Sequence, residues 1–236
     1  LYPMIQQNGN LEKTSFDTVL SDSISSIREY SNKATAIMSA QSTCEEMYLF
    51  QQLLRNSGIN KIDHRSRECD FRYQDNFPIL PSLDCKLSDI PCFDNIITVG
   101  VNISKEFPIL SIYLREAQKI NSTSIYSIAS YEFEENFSLS KSEVLNSSEI
   151  EEFFSTTNNE ILSTIGKNTN NLIILGPSIS YLSNYSTILD KISKYAKSIN
   201  SKLSLLGDQA NTAGAWAMGI VPHRLPGGES SDYAMT

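Results

Sequence analysis

The 236 residues include 19 Lys and Arg against 27 Asp and Glu, a formal charge of −8. Their cations are scattered, and neutralising phosphate needs them clustered, so no nucleic-acid partner is expected. Forty per cent apolar residues exclude a disordered chain, and the length suits one large domain or two intertwined smaller ones. No apolar run reaches the roughly 18 residues of a membrane span. The opening LYPMIQQNGN lacks the basic cap and apolar run of a secretory signal. The chain opens at Leu1 rather than Met and closes in the polar SSDYAMT, which suggests a piece of a longer protein.

Steps of three and four through Phe16, Val19, Leu20, Ile24 and Ile27 predict an amphipathic helix over 14–31. KATAIMSA (33–40) reads as a short strand. Ser42 and Thr43, each followed three residues later by Glu, form a capping-box signature for a helix that stops at Gly58. DNIITVGV (94–101) is a near-continuous apolar run, as a buried parallel strand should be. NISKEFPILSIYLREAQK predicts a helix with Pro108 in its first turn. STSIYSIAS (122–130) is a strand, and 147–165 one or two short helices. NLIILGPS (171–178) is a strand ending in Gly-Pro, 185–198 a helix, and KLSLLGD (202–208) the last strand. This alternation predicts an α/β fold with parallel sheets in Rossmann-like layers.

The cysteines Cys44, Cys69, Cys85 and Cys92 are 25, 16 and 7 residues apart, too far for the close pairs of zinc or iron–sulfur sites. They are expected to be reduced and mostly buried. Gly100-Val101-Asn102 lies where a strand gives way to a helix, but GxGxxG and the P-loop pattern are absent. Gly176-Pro177-Ser178 lacks the GxSxG spacing of a nucleophile elbow. The two histidines, His64 and His223, each adjoin an arginine, Arg65 and Arg224. That neighbour disfavours the imidazolium and points to structural roles. No catalytic residue is expected.

Two segments are unusually dense. NKIDHRSRECDF (60–71) gathers Asp63, His64, Arg65, Arg67, Glu68 and Asp70 into one loop. An ion-pair network anchoring that loop is the preferred reading over an anion or cofactor site. GDQANTAGAWAMGIVPHR (207–224) offers Asn211 as a helix cap, with Gly214 among small residues that permit close approach of a backbone or a ligand.

Together IDHRSRECDF, GVNISKEFPILSIYLREAQK and ANTAGAWAMGIVPHR resemble the family of large peripheral-arm subunits of the proton-pumping NADH–quinone oxidoreductase, respiratory complex I. LYPMIQQNGNLEKTSFDTVL resembles that family's stretch after its iron–sulfur domains, so the likeness spans nearly the whole chain. The resemblance implies the fold of the molybdopterin oxidoreductases, such as formate dehydrogenase, with the pterin and metal lost. It implies no cofactor in this piece and iron–sulfur clusters in the full-length subunit. The implied partners are other peripheral-arm subunits, at the cytoplasmic face of a bacterial inner membrane or the matrix side in an organelle, without membrane insertion.

It also implies a discontinuous first lobe, 1–80 plus 168–236, and an inserted lobe, 81–167. Asp63, His64, Arg65, Arg67, His223 and Arg224 are then loop anchors. One departure stands out. Ile62, Asp63, Arg67 and Cys69 match the spacing by which formate dehydrogenases of the superfamily supply a molybdenum ligand. The alternative is therefore an active molybdopterin enzyme with Cys69 on the metal and Asn211 and Gly214 near the cofactor. Against it, Glu68 and Asp70 flank Cys69 and disfavour its thiolate.

Overall fold

The computed structural model describes residues 2–76, 80–155, 159–165 and 169–231. The chain divides into two compact units, 1–64 with 214–236, and 65–213. The first opens with a hairpin of β1 (Met4–Gln7) and β2 (Asn10–Lys13). Its turn, Asn8-Gly9, has positive φ at both residues, the mirror-image turn that matches strand twist.

Helix α1 (Phe16–Tyr30) follows, with the Ser15 side chain accepting from the Thr18 N–H. None of its residues is buried, and Phe16 is 76% and Leu20 60% exposed. Only Ile27 packs on the core of this unit. The apolar stripe predicted for this helix is thus largely uncovered by the described residues.

Strand β3 is only Ala36–Ile37. The expected strand over 33–40 is shorter because its partner β4 (Ile62–Asp63) offers two residues of parallel pairing. Between them α2 (Cys44–Asn56) begins with a capping box, in which the Glu46 N–H donates to Thr43 Oγ1 and the Thr43 N–H to Glu46 Oε2. It ends as expected at Gly58, whose φ of +88° lets the Ile59 N–H turn back to Leu54 O. Met47, Leu54, Ile59, Ile62, Ala215 and Ile220 form the core.

The second unit is built on a parallel sheet of five strands, ordered β7-β6-β5-β8-β9. In chain order it runs β5 (Asn95–Val99), α3 (Ile103–Glu106), α4 (Pro108–Asn121), β6 (Ser124–Ala129), β7 (Lys141–Val144), α5 (Ser147–Phe153) and α6 (Glu160–Thr164). Then come β8 (Asn171–Leu175), α7 (Pro177–Ser180), α8 (Tyr185–Ser198) and β9 (Lys202–Leu205). A last helix, α9 (Thr212–Ala217), spans the division between the units.

Every residue of β5 and β8 is buried, as continuous apolar runs require when both sheet faces are covered. Each fully buried Ile or Leu there contributes about 1.5–3 kcal/mol. The Asn95 side chain donates to Asn171 Oδ1 across the strand starts at 3.0 Å. The single helix expected after β5 is two helices. Pro108 disfavours helical geometry in the residue before it, and Phe107 takes φ −132° and ψ 63°.

The lobes expected from the resemblance are drawn differently here. β8 and β9 pair into the sheet of β5, β6 and β7. Residues 171–213 therefore share a unit with 65–167 rather than with 1–64. The cysteines also depart from expectation. None of the four is in a disulfide, but Cys69 and Cys92 are exposed and Cys44 and Cys85 half-buried, with Cys85 packed against the core of the second unit. Burial pushes the Cys85 thiol up and so keeps it protonated.

Candidate functional site

In the first unit, the two dense segments of the sequence meet. His64 is buried, and its Nδ1 lies 2.7 Å from the Ile220 carbonyl, so Nδ1 is the protonated nitrogen. Its backbone N–H donates to Asp63 Oδ1 at 2.7 Å. The Trp216 ring meets His64 edge-on at 6.3 Å and His223 edge-on at 5.6 Å. The Arg224 guanidinium lies over Trp216 at 5.4 Å, a cation–π contact. From α2, Arg55 Nη2 reaches the carbonyls of Gly219, Val221 and Arg224 at 3.1, 3.4 and 3.1 Å. Sequence reading passed over Arg55, since an arginine in the last turn of a helix is ordinary. Asp63, His64, His223 and Arg224 thus lie around one loop, 219–224.

In the second unit, Arg65 is buried, 3.6 Å from Glu68 and 3.3 Å from Gln74 Oε1, with its guanidinium 4.6 Å over Phe71. Arg67 is exposed and lies 5.8 Å over the Tyr181 ring. Cys69 Sγ donates to Tyr181 O at 3.5 Å. Among the described residues, no group of three or more His, Cys, Asp and Glu is placed to hold a metal ion.

Asp70 makes a two-point ion pair with Arg72. Its buried carboxylate takes two 2.8 Å bonds from Arg72 and one of 2.9 Å from the Ser186 N–H. Arg72 holds the Asp70 carboxyl far below the ordinary Asp value, helped by the Ser186 and Arg72 N–H groups and opposed by burial. A depressed folded-state pKa stabilises the fold above the unfolded value and is lost as pH falls through the folded one. Asp70→Asn should therefore lower Tm at neutral pH, with the gap from wild type narrowing steadily below about pH 4. Parallel Tm–pH curves would contradict this.

Asn211 ends the connection from β9 to α9, and Gly214 lies within α9. Gly214 is buried, and its carbonyl accepts from the Met218 N–H. At the start of α9, Thr212 Oγ1 accepts from the Gln209 N–H and donates toward Asp208.

Open α/β sheets bind ligands where the strand order reverses, which here is the gap between the ends of β5 and β8. Gly100 and Gly176 face each other there. A Cβ on Gly176 would lie 2.2 Å from Val101 Cβ and 2.5 Å from Gly100 O, and the Ser178 hydroxyl donates to Gly100 O at 2.5 Å. Gly176 therefore serves close approach of the two strand ends, and Gly100 makes room for Ile179 and Ser178 of α7. The N–H groups that open α3 are engaged as well. Asn102 N donates to Glu106, Ile103 N and Ser104 N to Glu135, and Lys105 N to Asn102 Oδ1.

A separate cavity of about 760 Å³ adjoins α8 and the start of β9, lined by Tyr73, Asp84, Ser186, Asp190, Lys194 and Leu203, among others. Its Lys194 pairs with Asp190 at 2.7 Å.

A molybdopterin oxidoreductase family model matches residues 1–225. The chain belongs to the molybdopterin oxidoreductase family. A role connected with oxidoreductase chemistry goes with that membership. No match is found among curated proteins. Among solved structures, the chain is similar to one in the formyltransferase/hydrolase complex FhcABCD of Methylorubrum extorquens, determined with methylofuran. The TM-score is 0.56 at 7% identity, covering 92% of this chain and 64% of that one. At that identity the likeness is one of fold.

The family name implies a molybdopterin, which carries phosphate. A phosphate needs free N–H or cationic donors. At the β5/β8 crevice the donors opening α3 already serve internal acceptors, two of them carboxylates that repel an anion. The residues of this crevice do not fit the group.

No helix among the described residues is long and apolar enough to cross a membrane.

Proposed function

We propose that this chain is a pterin-free structural and docking domain of the large peripheral-arm subunit of respiratory complex I. It braces the subunit that passes electrons from NADH toward quinone through iron–sulfur clusters outside residues 1–236. One observation carries this reading. Within the segments that bear the resemblance, His64 and the 219–224 loop direct polar groups at each other and at α2 rather than into an open site, through His64–Ile220 and the three Arg55 bonds. A scaffold requires that arrangement, and a catalytic loop needs its donors free for substrate. The uncovered stripe of α1, with Phe16, Leu20 and Ile24, gives a docking role the apolar surface it requires. The partners are other peripheral-arm subunits, on the side of the membrane where NADH is made.

Cys69 is the hinge of the rival enzymatic reading. Its exposed thiol is turned to a backbone acceptor, the Tyr181 carbonyl, and we keep the scaffold as the leading account. The test is elemental analysis of the full-length protein from native membranes. Abundant iron without molybdenum or tungsten is expected, and stoichiometric molybdenum or tungsten would defeat the proposal. In the same material, Cys69→Ala should leave NADH–quinone activity within about twofold of wild type, as expected for a surface position away from any reacting group.

A further inference from the structure

We infer that Glu135 is a built-in anion that closes the strand-end crevice of the second unit, held there by a strap formed by residues 131–139. This rests on the pterin-free reading above and gives that reading a specific residue. The Glu135 carboxylate accepts from Ile103 N at 2.9 Å and Ser104 N at 2.8 Å, and also from the Ser104 hydroxyl. A bound phosphate would present the same geometry, two oxygens against successive N–H groups.

The strap is fixed along its length. Ser104 Oγ accepts from the Asn136 N–H at 2.8 Å. Gln118 on α4 grips Ser138 from both sides, its Nε2 donating to Ser138 O at 2.6 Å and its Oε1 accepting from Ser138 N at 3.1 Å. Phe137 and Leu139 pack on the core that holds Ile103, Leu110 and Leu114. Tyr131 and Phe133 stack edge-on at 4.5 Å. The carboxylate is thus anchored by neighbours on both sides, and its negative charge excludes other anions from the same donors.

The test compares wild type with Glu135→Ala in thermal melts and in amide NMR spectra, with and without millimolar pyrophosphate. Wild type should show no shift of the Ile103 and Ser104 amides and no change in Tm. Glu135→Ala, with two N–H groups and a hydroxyl left unanswered, should melt roughly 5 °C lower. Pyrophosphate should restore part of that loss in the variant only. If Glu135→Ala fails to fold, Ser104→Ala, which removes the hydroxyl's bonds to Glu135 and Asn136 but leaves both N–H bonds to the carboxylate, should melt lower by a smaller amount. Pyrophosphate moving the wild-type Ile103 and Ser104 amides, or a Glu135→Ala melt equal to wild type, overturns the inference. Those outcomes sink the closure alone. Molybdenum in the native protein beside silent wild-type amides would sink the pterin-free reading and leave the closure standing.

Discussion

Gly176→Ala is expected to be the most damaging single substitution in the second unit. The added Cβ would meet Val101 Cβ at 2.2 Å, Gly100 O at 2.5 Å and Val101 Cα at 2.9 Å. Two of these are backbone atoms, and the third belongs to a β-branched side chain with little rotamer freedom. Nor can the strand ends spread apart. The Gly176 N–H donates to Val99 O at 2.8 Å, and β5 and β8 pair in full register from Asn95↔Asn171 to Val99↔Leu175. Overpacking ordinarily costs about 1–3 kcal/mol, and a clash with fixed backbone should reach or exceed the top of that range. Against a total stability of about 5–15 kcal/mol, the variant should be poorly soluble or melt far below wild type. Urea titration would check this, and a loss under about 1 kcal/mol would show that the strand ends yield.

Arg55→Met should loosen the 219–224 loop while leaving both units folded. One guanidinium nitrogen serves three carbonyls, and methionine keeps the packing of the stem without the donor. Hydrogen bonds to charged groups are worth about 1.5–3 kcal/mol each. One NH₂ shared among three acceptors should cost about 3 kcal/mol in all. The chain has one tryptophan, and Trp216 touches His64, His223 and Arg224. Its near-UV circular dichroism should therefore collapse while the far-UV signal stays. An unchanged indole signal would mean that His64 and the Trp216 packing hold the loop without Arg55.

Local signals were legible where the physics is local. Thr43 and Glu46 formed the capping box that their spacing announces, and Gly58 stopped α2. The apolar runs of β5 and β8 gave the two central strands. The hairpin at 4–13 was readable and went unread, since Asn8-Gly9 is a strong turn signal. Strand β7, with its half-exposed KSEV, carries no apolar run that would reveal it.

By itself, the sequence determined the α/β class, the buried central strands, the start and stop of α2 and the density of the DHR and PHR segments. Each of these follows from periodicity or from a residue's own conformational limits. The tertiary structure alone decided where the units divide, because strand pairing between residues far apart is not written into either strand. It alone joined Arg55 and His64 to the 219–224 loop, contacts that bridge more than 150 positions. It also placed Glu135 on the N–H groups of Ile103 and Ser104. A glutamate in the acidic YEFEENF stretch reads as solvated surface until the fold of the chain brings it to those donors.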